Sequence, residues 1–226
     1  MTQPTWTAVD QYFNMHLSSA DPALDAALAA STAGGLPEIQ VAANQGKLLS
    51  LLVQIHGAQK ILEIGTLGGY STIWLARGMA AGERTQGRIV TLELDPKHAA
   101  VAVTNIARAG FGSVVDVRVG RAIDSLPGIE RDGLGPFDLI FIDADKPSNP
   151  EYFAWALKLS RVGTVIVVDN VVRDGEVVNT SSDDPRVLGV RQMVKMIERE
   201  PRVSATAIQT VGSKGYDGFL VALVVK

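Results

Sequence analysis

Oxygen-bearing side chains recur at the ends of apolar runs in this sequence. Asp143 follows the apolar run 137–142, and Asp169 and Asn170 follow the run 163–168. Such oxygens are the ligands that hard cations favour, and three of them leave about three octahedral positions open. The same residue types also cap helices. The residues alone therefore support a Mg²⁺ or Ca²⁺ site and a purely structural role equally.

A lysine, Lys146, lies three residues after Asp143 and close to this cation site. A nearby cation and partial burial favour the neutral amine, which a lysine that acts as a base requires. An ordinary surface lysine is the alternative, and the sequence taken alone favours it.

A glycine-rich turn follows an earlier apolar run. Residues 60–64 end at Gly65, and a helix-like run begins at Tyr70. A strand, a tight loop and a helix start bring free backbone N–H groups to a nucleotide-like ligand. The dinucleotide fingerprint needs a second glycine two residues after the first, but Leu67 occupies that position. The turn therefore favours a ligand without a diphosphate, and S-adenosylmethionine is the commonest of these.

Two polar residues lie close to this turn. Glu93 ends the next apolar run, where a carboxylate can accept hydrogen bonds from both hydroxyls of a ribose. The alternative is a solvated acid, and the neighbouring turn favours the ribose. Ser71 begins the following helix, where the free N–H groups and the helix dipole can hold a carboxylate. Ser71 can equally cap that helix.

Alternating strands and helices must position these residues. Strands are predicted at 60–64, 88–94, 114–119, 137–142, 163–168, 203–210 and 218–225. Helices are predicted at 5–32 with a break near Asp21-Pro22, and at 41–55, 70–81, 96–109, 121–126, 149–160 and 184–200. Nearly continuous apolar strands are typical of a parallel sheet covered on both faces, which binds ligands beyond the carboxyl ends of its strands. The link between the last two strands is too short for a crossover helix, so they should pair antiparallel.

Composition narrows the class of protein. The 226 residues fit a single domain, and the absence of cysteine excludes disulfides, thiolate metal sites and cysteine nucleophiles. A net charge of −3 without a basic run disfavours a nucleic-acid partner. No apolar stretch has the length of a membrane span, and residues 1–10 lack the zones of a signal peptide. We expect a soluble, cytoplasmic protein with no membrane partner.

In order and spacing, the motifs resemble those of the cation-dependent O-methyltransferases, the family of catechol O-methyltransferase and caffeoyl-CoA O-methyltransferase. The likeness runs from about Leu36 to the C-terminus. Its landmarks are Glu63-Ile64-Gly65-Thr66-Leu67-Gly68-Gly69-Tyr70-Ser71, Leu92-Glu93-Leu94-Asp95, Ile142-Asp143-Ala144-Asp145-Lys146, Asp169-Asn170 and Lys214-Gly215-Tyr216-Asp217-Gly218.

The resemblance implies an α/β, Rossmann-like methyltransferase fold. Its seven-stranded sheet is mostly parallel, the last strand pair is antiparallel, and helices cover both faces. One methyltransferase domain then spans 1–226, with a variable helical segment at 1–35 and a core at 36–226. In the family the first segment tends to shape substrate choice and dimer contacts, so a homodimer is expected.

The resemblance also implies roles for individual residues. Residues matching the S-adenosylmethionine site are Val41 and Glu63 at the methionine end, Gly65, Thr66 and Ser71 in the loop, Glu93 at the ribose, Ala122 at the adenine, and Asp143. Asp143, Asp169 and Asn170 match the ligands of a divalent cation, Mg²⁺ or else Ca²⁺ or Mn²⁺. Lys146 matches the general base, and Asp143 and Asn170 complete the catalytic group with it.

The implied reaction is methyl transfer to a vicinal-dihydroxy aromatic small molecule of the catechol or hydroxycinnamoyl type. Arg173 departs from the pattern, because plant caffeoyl-CoA enzymes have tryptophan there.

One alternative function is that of a nicotinamide-dependent reductase, against which Leu67 argues. Another is a non-catalytic cofactor-binding protein, which the loss of any of Asp143, Asp169, Asn170 or Lys146 would favour, yet all four are present.

Overall fold

The computed structural model describes residues 2–18, 20–81 and 87–226. The helices are α1 (Gln3–Leu17), α2 (Pro22–Ala33), α3 (Ala43–His56), α4 (Tyr70–Ala80), α5 (Pro96–Arg108), α6 (Ala122–Arg131), α7 (Asn149–Lys158) and α8 (Pro185–Glu198). The strands are β1 (Lys60–Ile64), β2 (Arg88–Glu93), β3 (Val115–Val119), β4 (Leu139–Ile142), β5 (Val165–Asp169), β6 (Val203–Gly212) and β7 (Gly215–Val224). Two short 3₁₀ turns lie at Lys146–Ser148 and Glu176–Val178.

The strands form one sheet in the order β3-β2-β1-β4-β5-β7-β6. The pairs among β1 to β5 are parallel, whereas β7 pairs antiparallel with both β5 and β6. Only Ser213 and Lys214 separate β6 from β7, so the chain has to reverse direction there. The predicted sheet is confirmed, including its antiparallel last pair.

The core lies on both faces of this sheet because successive strand side chains point to opposite sides. In β1, Leu62 and Ile64 pack with the buried residues of α6, α7 and α8. Ile61 of the same strand packs with those of α2, α3, α4 and α5 on the other face. Helices therefore cover both faces, and the carboxyl edge of the sheet is left for binding.

Three helices begin at an Asp-Pro pair. The side chain of Asp21 accepts hydrogen bonds from two backbone amides of α2, and Asp95 and Asp184 each accept one at the starts of α5 and α8. An aspartate cap satisfies free N–H groups of the first turn, and a proline after it has no N–H to satisfy. This chemistry explains the predicted break between the first two helices.

Helix α6 is longer than predicted. The expected end at residue 126 follows from the general effect of proline inside a helix, but α6 continues through Pro127 to Arg131. Leu126 and Ile129 are fully buried and share the face of α6 that packs on the sheet. Burial of that apolar face offsets the hydrogen bond that proline cannot make.

Helix α1 is attached to the hairpin of β6 and β7 through a buried acid. Asp10 accepts hydrogen bonds from the backbone N of Ser213 at 2.7 Å and from Asn44 Nδ2 at 2.8 Å. The first helix is thereby held beside the start of α3. Among the described helices, none combines the length and the apolar character needed to cross a bilayer.

Candidate active site

A cavity of about 690 Å³ opens at the carboxyl edge of the sheet. Its wall includes the turn after β1, the end of β2, the start of α6 and the loop after β4. In the strand order, β1 and β4 are neighbours whose connections run in opposite directions, which is where open α/β sheets bind ligands. A second cavity of about 480 Å³ shares Asn170 with the first and continues toward β6 and β7.

The glycine turn packs directly on the loop after β4. Gly65 has φ +104°, and a Cβ built on it would lie 2.0 Å from the carbonyl oxygen of Asp143. The backbone N of Asp143 donates to Ile64 O at 2.8 Å. Only glycine allows this approach, so the turn places Asp143 beside the start of α4.

Ser71 does not cap α4. The helix begins after Gly69, which is in the left-handed conformation and has no side-chain cap. Ser71 lines the cavity, and its hydroxyl donates to Glu63 Oε1 at 2.7 Å. The serine thus joins the cavity wall to a buried acid behind it.

Glu63 is the predicted cofactor residue that the structure places outside the cavity. It is fully buried, and its carboxylate accepts hydrogen bonds from the hydroxyls of Ser71, Thr72 and Thr91. Burial raises the pKa of Glu63 to about 7, against the lowering effect of these donors. The structure thus places Glu63 behind the cavity wall. The side chain faces inward from β1 and connects to the wall through Ser71, and through Thr91 to Thr66. Its role at the cofactor stays a prediction.

Glu93 lies in the wall of the cavity at the end of β2. Its Oε2 accepts a hydrogen bond from Leu67 N at 2.7 Å, and its Oε1 accepts one from Asp95 N at 3.0 Å. Leu67 has φ +50°, a left-handed conformation that favours glycine. The carboxylate therefore fixes the tight turn as well as presenting oxygen to the cavity.

The remaining predicted cofactor residues all line the same cavity. They are Val41, Gly65, Thr66, Ser71, Glu93, Ala122 and Asp143. They come from the segment before α3, the turn after β1, the end of β2, the start of α6 and the loop after β4. The fold thus brings together positions that are spread over about a hundred residues of sequence.

The predicted cation ligands lie where the two cavities meet. Asp143 and Asn170 line the larger cavity, and Asp169 and Asn170 line the smaller one. Burial and repulsion from Asp143 raise the pKa of Asp169 to about 7, while Lys146 and hydrogen bonds from Asn170 N and Gln45 oppose the rise. Two carboxylates that repel each other in a buried place fit a bound cation, which would offset their charge.

The three predicted cation ligands are the carboxylates of Asp143 and Asp169 and the side-chain amide of Asn170. Within residues 2–18, 20–81 and 87–226, no three His, Cys, Asp or Glu side chains cluster in an arrangement that could hold a metal. Asn170 is thus needed to complete a three-ligand site. Its backbone has φ +56°, a strained conformation that recurs at functional positions.

Lys146 is a buried residue with 7% exposure. Its Nζ lies 2.8 Å from Asp143 Oδ1. Helix α8 packs on the 3₁₀ turn that carries it, since a Cβ at Gly189 would lie 2.2 Å from the carbonyl oxygen of Lys146. The alternative of an ordinary surface lysine is therefore excluded.

Sequence reasoning missed several residues of the site. Gln45 of α3 hydrogen-bonds Asp169 and lines the smaller cavity. Tyr152 of α7 lines the larger cavity and donates to Asp145, and burial with that acid raises its pKa. His98 lies 3.5 Å from Glu93 Oε1. All three lie in the first turn of a helix and not at the end of a strand, so a rule based on strand ends does not point to them.

The chain matches the model of the O-methyltransferase family over residues 15–222. It belongs to that family. The match confirms the predicted family and the predicted enzyme class, an S-adenosylmethionine-dependent O-methyltransferase.

Individual family members are similar over almost the whole chain. The catechol O-methyltransferase of Niastella koreensis is 51% identical over 224 residues, which are 99% of this chain and 100% of the relative. The solved structure of an O-methyltransferase from Bacillus cereus in complex with SAH is 59% identical with a TM-score of 0.96, and covers 99% of this chain and 100% of that one. TomG of Streptomyces achromogenes, an O-methyltransferase solved with SAM, is 50% identical with a TM-score of 0.95, and both chains are covered completely. These likenesses confirm the Rossmann-like methyltransferase fold.

Proposed function

We propose that this O-methyltransferase transfers the methyl group of S-adenosylmethionine to a vicinal-dihydroxy aromatic small molecule with the help of a divalent cation. The observation that carries the proposal is the meeting of Asp143, Asp169, Asn170 and Lys146 at the boundary of two cavities. The name of the Niastella koreensis relative supports a catechol-type acceptor.

The larger cavity is the proposed site of the cofactor. Ala122 would contact the adenine, and Val41 would contact the methionine part. Glu93 would accept hydrogen bonds from the ribose hydroxyls. The free N–H groups of the first turn of α4, at Tyr70 and Ser71, would hold the cofactor's carboxylate. Glu63 would act behind this wall by orienting the hydroxyl of Ser71.

Asp143, Asp169 and Asn170 are the proposed ligands of the cation, which would be Mg²⁺ or else Ca²⁺ or Mn²⁺. When bound, the cation would supply positive charge that favours the oxyanion of a phenol over its neutral form. The carboxylates and the amide also fix where two adjacent hydroxyls must lie, at the edge shared by the two cavities.

Lys146 is the proposed general base. As a neutral amine, its Nζ accepts the proton of the hydroxyl that reacts, and its contact with Asp143 holds it in place. The phenolic oxygen then forms a bond to the methyl carbon. The carbon–sulfur bond breaks, and its electron pair stays on the sulfur to leave S-adenosylhomocysteine and a methyl ether. Holding the partners at attack distance and keeping water out both favour this step.

The test is methyl transfer to catechol with purified protein, S-adenosylmethionine and Mg²⁺, with and without EDTA. We expect methylated product only when the cation is available. Undiminished turnover in EDTA would overturn the role of the cation, and product from NADH-dependent reduction instead would favour the reductase alternative.

A homodimer is proposed as the functional assembly. Helix α1 leaves apolar side chains exposed, among them Tyr12, Phe13, Met15 and Leu17, which a second copy would cover. Light scattering on the purified protein would give twice the chain mass for a dimer and the chain mass alone otherwise. A cytoplasmic location and the absence of nucleic-acid and membrane partners are also proposed, and cell fractionation tests the location.

A further inference from the structure

We infer that Arg173 selects acceptors whose aromatic ring carries a carboxylate, because Arg173 lies in the wall of the larger cavity and its guanidinium forms no hydrogen bond with the described residues. The inference rests on the proposed function and names the chemistry of the acceptor. It concerns the position at which this chain departs from the plant caffeoyl-CoA enzymes.

The loop after β5 holds Arg173 in a defined place. Asn170, Arg173 and Asp174 all have left-handed backbones, with φ of 56°, 57° and 56°. Such conformations persist only where the surrounding structure enforces them. Here the backbone N of Val172 and that of Arg173 each donate to Asp217 Oδ1 at 3.0 Å. The loop therefore fixes Arg173 in the cavity wall beside the proposed cation ligand Asn170.

Within the part of the chain that the structure describes, the guanidinium of Arg173 has an ion-pair partner, Asp217, but no hydrogen-bond acceptor. Its side chain is 21% exposed, and its Nη1 lies 3.6 Å from Asp217 Oδ2, which is too far for a hydrogen bond. Its Nε is buried with no partner. Every N–H of a guanidinium is a donor, and buried donors without acceptors are costly. Because Nε is shielded from solvent, a carboxylate in the cavity would be bound by the terminal Nη groups, which donate no hydrogen bond within the described residues.

Two other arginines, Arg121 and Arg186, line the same cavity. Arg186 donates hydrogen bonds to Asp184 from its Nε at 3.0 Å and its Nη2 at 2.6 Å. Its charge is matched. Asp217 has committed Oδ1 to two backbone amides, so it matches Arg173 less completely. Arg121 is exposed to solvent, where an ionic contact is weaker, so of the three arginines Arg173 is the one best placed to bind an anionic ligand.

The charges that line the smaller cavity also favour binding of an anion at Arg173. The smaller cavity is lined by four aspartates and one lysine, so the balance of charge repels an acceptor's carboxylate from that side; these residues are Asp10, Asp169, Asp174, Asp217 and Lys214. A cationic acceptor attracted by Asp174 is the competing possibility. It is less favoured because Asp174 is exposed to solvent, whereas Arg173 is mostly buried and an ionic contact is stronger there.

The experiment compares three acceptors: catechol, 3,4-dihydroxybenzoate and 3,4-dihydroxybenzylamine. In wild-type protein we expect the lowest KM for the benzoate. Arg173→Ala should raise that KM by about 10- to 100-fold while the KM for catechol stays within about twofold, since only the benzoate loses a charge-assisted contact. Arg173→Lys should recover part of the loss because it keeps the charge.

Arg88→Ala is the matched control, because Arg88 is an exposed residue at the opposite end of β2. It should leave all three KM values unchanged, and thermal unfolding of each variant checks that the fold is kept. An equal rise in KM for catechol and the benzoate in Arg173→Ala would overturn the inference, as would a wild-type preference for the benzylamine. Methylation of catechol alone keeps the proposed function while rejecting the inference; methylation of none of the three rejects both.

Discussion

The two sides of the site give their carboxylates different partners. On the side of β1 and β2, Glu63 accepts hydrogen bonds from three hydroxyls and Glu93 accepts them from two backbone amides. On the side of β4 and β5, the partly exposed Asp143 and the buried Asp169 repel each other, and Lys146 pairs with Asp143 at 2.8 Å. The carboxylates of the first side are satisfied by hydrogen bonds, whereas the repulsion on the second side is offset only in part.

From this difference we expect the two sides to have different functions. A satisfied hydrogen-bond network is rigid and holds the groups that contact a ligand in place. Two like charges that lie close together and are partly removed from water are costly unless another charge offsets them. We therefore expect changes on the satisfied side to alter affinity and stability, and changes on the other side to alter the chemical step.

The largest effect is expected from Asp169→Ala, on the side of β4 and β5. Loss of a cation ligand should lower kcat for catechol by about 10³-fold or more, whereas the Kd of S-adenosylmethionine should change less than about threefold. Turnover assays and calorimetry measure the two quantities. The exposed Asp132 offers the control Asp132→Ala. Wild-type turnover in Asp169→Ala would break the comparison.

Lys146→Ala should lower kcat by about 10²- to 10⁴-fold, the range that a general base supplies. Cofactor affinity should be kept, because the Nζ contacts Asp143 and not the satisfied side. Rapid-mixing measurement of a single turnover would locate the loss in the chemical step. Lys158→Ala, at an exposed lysine of α7, is the control; a loss of affinity with unchanged kcat would contradict the assignment.

Glu93→Gln tests the satisfied side. Removal of the charge that would bind the ribose hydroxyls should raise the Kd of S-adenosylmethionine by about 10- to 100-fold. The kcat at saturating cofactor should stay nearly unchanged. Titration calorimetry gives the affinity. An unchanged Kd would support the alternative of a solvated strand-end acid, and Glu130→Gln on the surface of α6 provides the comparison.

The last prediction uses Glu63→Gln and concerns stability and its dependence on pH. The pKa of Glu63 rises from an ordinary 4.5 to about 7 in the folded protein, so the native state binds the proton more tightly than the unfolded state. Its contribution to stability is full below pH 4.5 and is lost as the pH rises through 7. The loss amounts to about 3 kcal/mol.

Urea unfolding of Glu63→Gln at pH 5 and pH 8 measures this contribution. The variant should lose less stability between the two pH values than wild type does, because its amide does not ionise. Glu130→Gln should keep the wild-type difference. If Glu63→Gln also kept it, the pH dependence would have another origin.

Features that depend on neighbouring residues were predictable. The Asp-Pro pairs mark the starts of α2, α5 and α8, and the short link after β6 dictates an antiparallel partner. Patterns of this kind act over a few residues, so they can be read along the chain. Pro127 shows the limit, because tertiary packing overrides its local preference and α6 continues.

The residue types that follow each strand are visible in the amino-acid sequence, and a parallel sheet gathers Asp143, Asp169 and Asn170 at one edge. Long-range packing, in contrast, sets the inward direction of Glu63, the contact of Gln45 with Asp169, and the hydrogen bonds of Arg186 to Asp184, which have no counterpart at Arg173. The positions of strands follow from patterns of a few residues, whereas the burial and partners of a charged side chain depend on segments that are far apart along the chain.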